Sequence, residues 1–257
     1  MQKTVIHPIP AFTDNYIWCL HNHSDAYVVD PGDASPVFEF LNANGLTLRG
    51  ILITHHHADH IGGVKALLNQ YPNILVTGPV STRIPGVTIA LSEGDSVELP
   101  ELSTYVEVME VPAHTREHIA YLSPLGLFCG DTMFSAGCGR LFEGTPGQMQ
   151  NNFHRFKQLP ADTLIYCTHE YTQANVDFAL AISPENKDLL SFANWVKTKR
   201  DKNEPTLPST IETELKINPY MREEEPDVIA GVEKHWQVQF DSPLEAFSAI
   251  RRWKDNF

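Results

Sequence analysis

Residues 54–60 read THHHADH, four histidines and one aspartate in a chain that has only 12 histidines among 257 residues. Imidazole nitrogens and carboxylate oxygens are the donors that zinc, iron and manganese accept. His55 and His57 alternate along the chain as it leaves the strand-like run GILIT. Alternate residues of an extended segment point the same way, so these two imidazoles can meet one ion. Asp59 and His60 follow at the start of the next helical pattern and can face a second ion beside the first. A histidine-rich surface loop would need no preceding strand. This cluster is internal, is broken by Ala58 and Asp59, and follows a buried-strand pattern, which points to chemistry.

A metal site requires further ligands at comparable places. Three are available, each just past an apolar run: His114 after VEVMEVPA, Asp131 after GLFCG and His169 after TLIYCT. A catalytic zinc commonly takes three protein ligands and leaves a position for water. Seven candidates therefore divide as three, three and one shared carboxylate. Asp131 is the natural bridge, because a carboxylate has two oxygens. The set contains no cysteine, and structural zinc sites favour closed cysteine-rich sets. Cys19, Cys129, Cys138 and Cys167 form no C-x-x-C pair and read as thiols in a reducing compartment. No G-x-S-x-G elbow offers a serine nucleophile. His56 and His118 are candidates to support the ligands from behind rather than to ligate, with simple packing as the alternative.

The elements that must position these residues follow from periodicity. TVIHPIP, NYIWCLHN, AYVVD, GILIT, ILVTGP, TIAL, TYVEVMEVPAH and DTLIYCTHE read as strands, and AYLSPLGLFCGD as two strands joined at Ser123-Pro124. PVFEFLNANG reads as a helix closed by Gly45, IGGVKALLNQY has helical spacing, and PGQMQNNFHRFKQL reads as a helix. From Gln173 onward the alternating pattern stops. Ser209-x-x-Glu212 and Ser242-Pro243-x-Glu245 predict capped helix starts, so residues 173–257 are expected as a small helical domain after a first domain over 1–172. The net charge of -13 disfavours a nucleic-acid surface. No run approaches the roughly 18 apolar residues of a membrane span. The stretch MQKTVIHPIPAFTDNY has no apolar run behind a basic start, so no signal peptide and a cytoplasmic location are expected.

With these residues in view, THHHADH followed by His114, Asp131 and His169 resembles the metallo-β-lactamase superfamily. GDTMFSAGCGRLFEGT, THEYT, IPAFTDNYIW, INPYMR and the terminal RRWKDNF narrow the resemblance to the glyoxalase II, or hydroxyacylglutathione hydrolase, family. It covers essentially the whole chain. It implies an α+β fold, the αββα sandwich of the superfamily, with a C-terminal helical domain. It implies two divalent metal ions, zinc first with iron or manganese as alternatives. One would be held by His55, His57 and His114, the other by Asp59, His60 and His169, with Asp131 between them. Asp59 and Asp131 would carry the catalytic roles, and a hydroxide held between the ions would be the nucleophile. The glutathione part of the substrate would be held by Arg140, Phe142, Tyr171, Arg251 and Lys254; relatives also carry lysine and tyrosine in place of Arg140 and Phe142. The implied reaction is hydrolysis of S-D-lactoylglutathione to D-lactate and glutathione, the second step of methylglyoxal detoxification. A small-molecule thioester is then the partner, without nucleic acid or membrane, and a monomer is expected. A lactonase or β-lactamase on the same scaffold would need neither RRWK nor GCGRLFEGT. A nuclease fits poorly with the acidic charge, and a sulfur dioxygenase needs only one iron.

Overall fold

The computed structural model describes residues 4–257, which divide into two compact units. The first runs to Val111 and resumes over Glu117–Gly130; the second takes Pro112–Arg116 and Asp131–Phe257.

In the first unit, β1 (Val5–Ala11), β2 (Asn15–His21), β3 (Asp25–Val29), β4 (Thr47–Leu52), β5 (Leu75–Pro79) and β6 (Ile89–Leu91) form one sheet in chain order. The pairs β1–β2 and β2–β3 are antiparallel, and β3 to β6 run parallel. Parallel strands are buried on both faces and read as continuous apolar runs, which is what AYVV and GIL are. Pro8 and Pro10 sit on the edge strand β1, where a missing amide donor leaves no central ladder bond unmade. The parallel connections place α1 (Ala34–Asn44), α2 (Ala58–Ile61) and α3 (Val64–Gln70) between strands. Val37 and Leu41 of α1 and Val64 and Leu67 of α3 pack with Val28, Ile51 and Val76 of the sheet. As expected, Gly45 closes α1 in the left-handed conformation, with φ of 65°.

The helical spacing of IGGVKALLNQY is that of α3, which is separated from α2 by a break at Gly62 and Gly63. A Cβ on Gly63 would lie 2.6 Å from both the Ala34 amide nitrogen and the Pro31 carbonyl oxygen. The chain must pass this close to the turn after β3, and the break between α2 and α3 falls there. The rest of the unit is an antiparallel run of β7 (Ser96–Leu99), β8 (Thr104–Glu110), β9 (Ile119–Ser123) and β10 (Gly126–Gly130). Tyr121 of β9 is fully buried, donates to the Ile53 carbonyl at 2.9 Å and meets Thr77 Oγ1 at 3.3 Å. It ties this run to the segment that leads into the histidine cluster.

The second unit holds the short hairpin β11 (Met133–Phe134) and β12 (Gly137–Cys138), then α4 (Pro146–Lys157), β13 (Leu164–Cys167), α5 (Thr172–Ile182), α6 (Lys187–Arg200), β14 (Ser209–Thr210), α7 (Ile211–Ile217), α8 (Pro226–Trp236) and α9 (Pro243–Lys254). Val176 and Ala179 of α5, Leu189 and Val196 of α6, and Ile217 of α7 form its core with Ala136. The start of α9 is as expected, with Ser242 as N-cap and proline in the first turn. The start of α7 is not. Its N-cap is Thr210, which accepts from the Thr213 amide at 3.1 Å. Ser209 pairs in β14 opposite Ile165, and its hydroxyl donates to buried Glu214. A tertiary partner overrides the local capping pattern. Among the described residues no helix is long and apolar enough to cross a membrane.

Candidate metal centre

Each unit carries part of the candidate ligand set. In the first, β3 and β4 lie side by side in parallel, so the residues leaving their carboxyl ends emerge together. Open parallel sheets place ligand sites at such ends. Asp30 leaves β3, and Thr54 to His60 leave β4. His55 and His60 are fully buried; His57 and Asp59 are half-buried. The His55 and His57 rings are 4.6 Å apart and the His55 and His60 rings 4.0 Å. Ligand atoms of Asp30, His55 and His60 all lie within 4.8 Å of one another.

The hydrogen bonds assign which nitrogen each ring presents. Thr54 Oγ1 donates to Asp30 Oδ2 at 2.7 Å, so it receives the Nδ1 proton of His55 at 3.1 Å. His60 Nδ1 pairs with Asp30 Oδ2 at 2.9 Å. Both rings therefore turn Nε2 outward, and a carboxylate behind a ligating imidazole raises its basicity. His60 Nε2 lies 3.6 Å from Asp59 Oδ2, and Asn15 Nδ2 donates to that same oxygen at 3.2 Å. His118 stacks on His55 with ring centres 4.6 Å apart. His56 is half-buried beside His57, with ring centres 5.0 Å apart.

In the second unit the Nε2 atoms of His114 and of His169 each lie 3.4 Å from Asp131 Oδ2. That spacing is long for a hydrogen bond. A tetrahedral ion with bonds of about 2.1 Å separates its donors by about 3.4 Å. Each imidazole therefore stands from the same buried carboxylate oxygen at the spacing of two ligands of one ion, which is what a carboxylate shared between two ions needs. His114 Nδ1 donates to the Arg140 carbonyl at 2.8 Å, which again turns Nε2 outward. A Cβ on Gly139 would fall 1.8 Å from the Asp131 carbonyl oxygen, so only glycine lets the chain before Arg140 pass there. This gives GCGR a physical purpose: its backbone aims His114.

The substrate candidates also lie in the second unit. The Arg140 side chain is 57% exposed, with its guanidinium 5.9 Å from the Phe142 ring centre. Phe142 is exposed and meets the His114 ring edge-on at 5.2 Å. Tyr171 is exposed and lies flat on His169, 4.6 Å away with planes 5° apart. Arg251 is only 6% exposed; it donates to the Cys138 carbonyl and, at 3.1 Å, to Asp255. Arg140 donates to the same Asp255 oxygen at 3.3 Å. Lys254 donates to the Ala174 carbonyl at 3.0 Å and sits over the Phe178 ring. The structure thus joins Arg140 and Arg251 through Asp255 and sets Lys254 against α5.

Residues 12–169 match the metallo-beta-lactamase superfamily, and residues 170–257 match the hydroxyacylglutathione hydrolase C-terminus. A hydroxyacylglutathione hydrolase from Pseudoalteromonas translucida is 49% identical over 253 residues, covering 97% of this chain and 98% of the relative. The chain belongs to the hydroxyacylglutathione hydrolase family. Another member, from Photobacterium profundum, is 49% identical over 98% of this chain and 99% of its own length. Among solved structures, ETHE1 from Myxococcus xanthus superposes with a TM-score of 0.64 at 21% identity, over 97% of this chain and 99% of its own. The BLEG-1 B3 metallo-beta-lactamase gives 0.63 at 22% identity, over 84% and 99%. At that identity the likeness is one of fold, and the fold is the metallo-β-lactamase fold expected from the sequence. The residues that match the hydroxyacylglutathione hydrolase C-terminus contain α5 to α9.

Asp30, Asn15 and the Arg140 carbonyl are the site residues that pattern reading missed. DPGD reads as a turn, and Asp30 does sit in one, with φ of 51°. Its carboxylate also orients the candidate ligand His60, thirty residues on.

Proposed function

We propose that the chain hydrolyses S-2-hydroxyacylglutathione thioesters, S-D-lactoylglutathione among them, to glutathione and the 2-hydroxy acid, the second step of methylglyoxal detoxification. The observation that carries the reading is Asp131 Oδ2 at 3.4 Å from both His114 and His169, in a chain 49% identical to a hydroxyacylglutathione hydrolase over 97% of its length. Residues 1–172 act as the metal hydrolase domain and 173–257 as the substrate-binding domain. His55, His57 and His114 hold one divalent ion, Asp59, His60 and His169 the other, and Asp131 both; zinc is the first expectation. Bound there, such ions lower the pKa of water from about 15.7 toward about 7 and polarise a carbonyl.

The chain's own residues then act by position. Thr54, Asp30 and the Arg140 carbonyl fix the imidazole tautomers. Asn15 holds Asp59, which orients the attacking oxygen toward the thioester carbon. A thiolate leaves with little help because a thiol pKa is only about 8.5. No acid residue is needed at the sulfur. Tyr171, flat on His169, and Phe142, against His114, flank the ligands with apolar surface. Arg140 and Lys254 supply positive charge for the glutathione carboxylates, and Arg251, behind them, holds Asp255. The location proposed is the cytoplasm, which suits four buried cysteines outside any disulfide, and the state a monomer.

The test is hydrolysis of S-D-lactoylglutathione by metal-loaded protein beside simple esters, a lactone and a β-lactam. Turnover of the thioester alone is expected; turnover of the others without it would remove the glutathione reading. A pH dependence follows as well. Burial, aided by the Arg251 charge, lowers Lys254 to about 8. The ammonium form that pairs with a carboxylate is therefore present below pH 8 and lost above it. KM is expected to rise as pH passes through about 8, and K254M to show a flat profile with KM raised roughly tenfold at pH 7, as loss of one charged hydrogen bond implies. A wild-type KM that stays constant from pH 7 to 9 would exclude this role.

A further inference from the structure

Every ligand candidate of the second unit adjoins the β11–β12 hairpin or the residues that flank it. Asp131 leads into it, and the Gly139 amide donates back to the Thr132 carbonyl at 3.1 Å where it ends. The next residue, Arg140, gives His114 its carbonyl acceptor. Phe134, in β11, stands edge-on to His169 at 5.7 Å and to Tyr171 at 5.2 Å. The hairpin has two residues in each strand, and its turn residue Ala136 has φ of 53°. Hairpins this short do not hold their own geometry, and a left-handed alanine persists only where surroundings enforce it.

The enforcement comes from the helices. Glu214 of α7 is fully buried, and its carboxylate accepts from Ser135 Oγ at 2.8 Å and from the Ala136 amide at 2.8 Å. Ser209 Oγ and Asn218 Nδ2 complete its shell, the latter at 3.0 Å. Asn218 also donates to the Phe134 and Gly137 carbonyls at 3.2 and 3.0 Å, and Asn175 of α5 to the Ser135 carbonyl at 3.1 Å. Burial pushes the Glu214 carboxyl above its ordinary range. An apolar side chain would fill the same space without that penalty, so a carboxylate here is explained by the geometry it imposes.

We propose that Glu214 is a positioning residue for catalysis: through Ser135 and Ala136 it sets the β11–β12 hairpin, and through the hairpin it sets Asp131, His114 and His169 for metal. The proposal rests on the ligand assignment made above. It gives the C-terminal helices a second task besides holding glutathione.

Two conservative variants separate positioning from mere stability. Ser135→Ala and Ser209→Ala each remove one hydroxyl donor to the same Glu214 oxygen, the first from the hairpin and the second from β14. Zinc affinity is read by chelator competition on the full chain, with Tm alongside. S135A is expected to weaken the looser zinc by about 10–100-fold, the range for losing a partner behind a ligand. S209A is expected to stay within about threefold at a similar fall in Tm. E214Q sets an amide donor against donors already in place. It is expected to lose more affinity than S135A and to shift the visible spectrum of the cobalt(II)-loaded protein. Wild-type affinity for both ions in S135A, or equal losses in S135A and S209A, would overturn the proposal whether or not E214Q folds. Asp131→Ala is the control: if it kept both ions, the ligand assignment itself would have failed.

Discussion

Asp131→Ala is expected to bind at most one metal ion and to lose at least about 100-fold in kcat on S-D-lactoylglutathione. Asp131 Oδ2 is equidistant, at 3.4 Å, from the Nε2 atoms of two imidazoles that belong to different proposed ions. Without it, each ion loses an anionic donor, and nothing fixes the distance between them. Removing a single preorganised electrostatic contact from a reacting centre commonly lowers kcat by about 100- to 1000-fold. Removal of a shared metal ligand belongs at the upper end. Asp131→Asn separates charge from shape: it fills the same 6%-exposed position but donates where the carboxylate accepts. It should keep the fold and lose the second ion. Elemental analysis after gel filtration gives the metal count, and steady-state kinetics the rate. Two ions and full turnover in D131A would mean that the bridge lies elsewhere.

The legible part of this site is the part written in side-chain type and local spacing. His55, His57, Asp59, His60, His114, Asp131 and His169 each follow an apolar run, and strand ends are where an α/β sheet presents its ligands. What spacing could not supply is the second contact of each group. Asp30 reads as part of a turn because DPGD is a turn; its bonds to Thr54 and His60 join residues 24 and 30 positions apart. The acceptor behind His114 is a backbone carbonyl, which has no residue signature at all. Glu214 reads as one acidic residue on an amphipathic helix, and only the packed structure shows it buried among four donors. The fold followed the same division. Helix α1 and its Gly45 stop are local and readable. The α2–α3 break was decided by the turn after β3, and the Thr210 cap by the pairing of Ser209 with Ile165, both remote in sequence.

Asp30→Ala is expected to destabilise the metal-free chain by about 3–5 kcal/mol, the range for breaking a buried, hydrogen-bonded charge network from one side. Asp30 is 2% exposed; Oδ1 accepts from the Thr54 amide at 2.7 Å, and Oδ2 takes both Thr54 Oγ1 and His60 Nδ1. Alanine would leave all three groups unmet where Thr54 and His60 are fully buried. Each such group costs about 1–3 kcal/mol. The backbone adds to this, because φ of 51° suits aspartate better than alanine. Asp30→Gly removes that strain while losing the same side-chain bonds, and should recover about 1 kcal/mol relative to D30A. Asp30→Asn keeps an acceptor for the Thr54 amide but turns an N–H group toward Thr54 Oγ1 and His60. It should fold better than D30A and still fail to fix the His60 tautomer. In both D30A and D30N, affinity for the ion at Asp59, His60 and His169 should fall about 10–100-fold, since the loss acts through ring orientation. Urea unfolding of the metal-free proteins measures the first effect and zinc competition the second. If D30A unfolded within about 0.5 kcal/mol of wild type, as a neutral surface change does, Asp30 would be only a turn residue, and His60 would owe its orientation to the packing of α2.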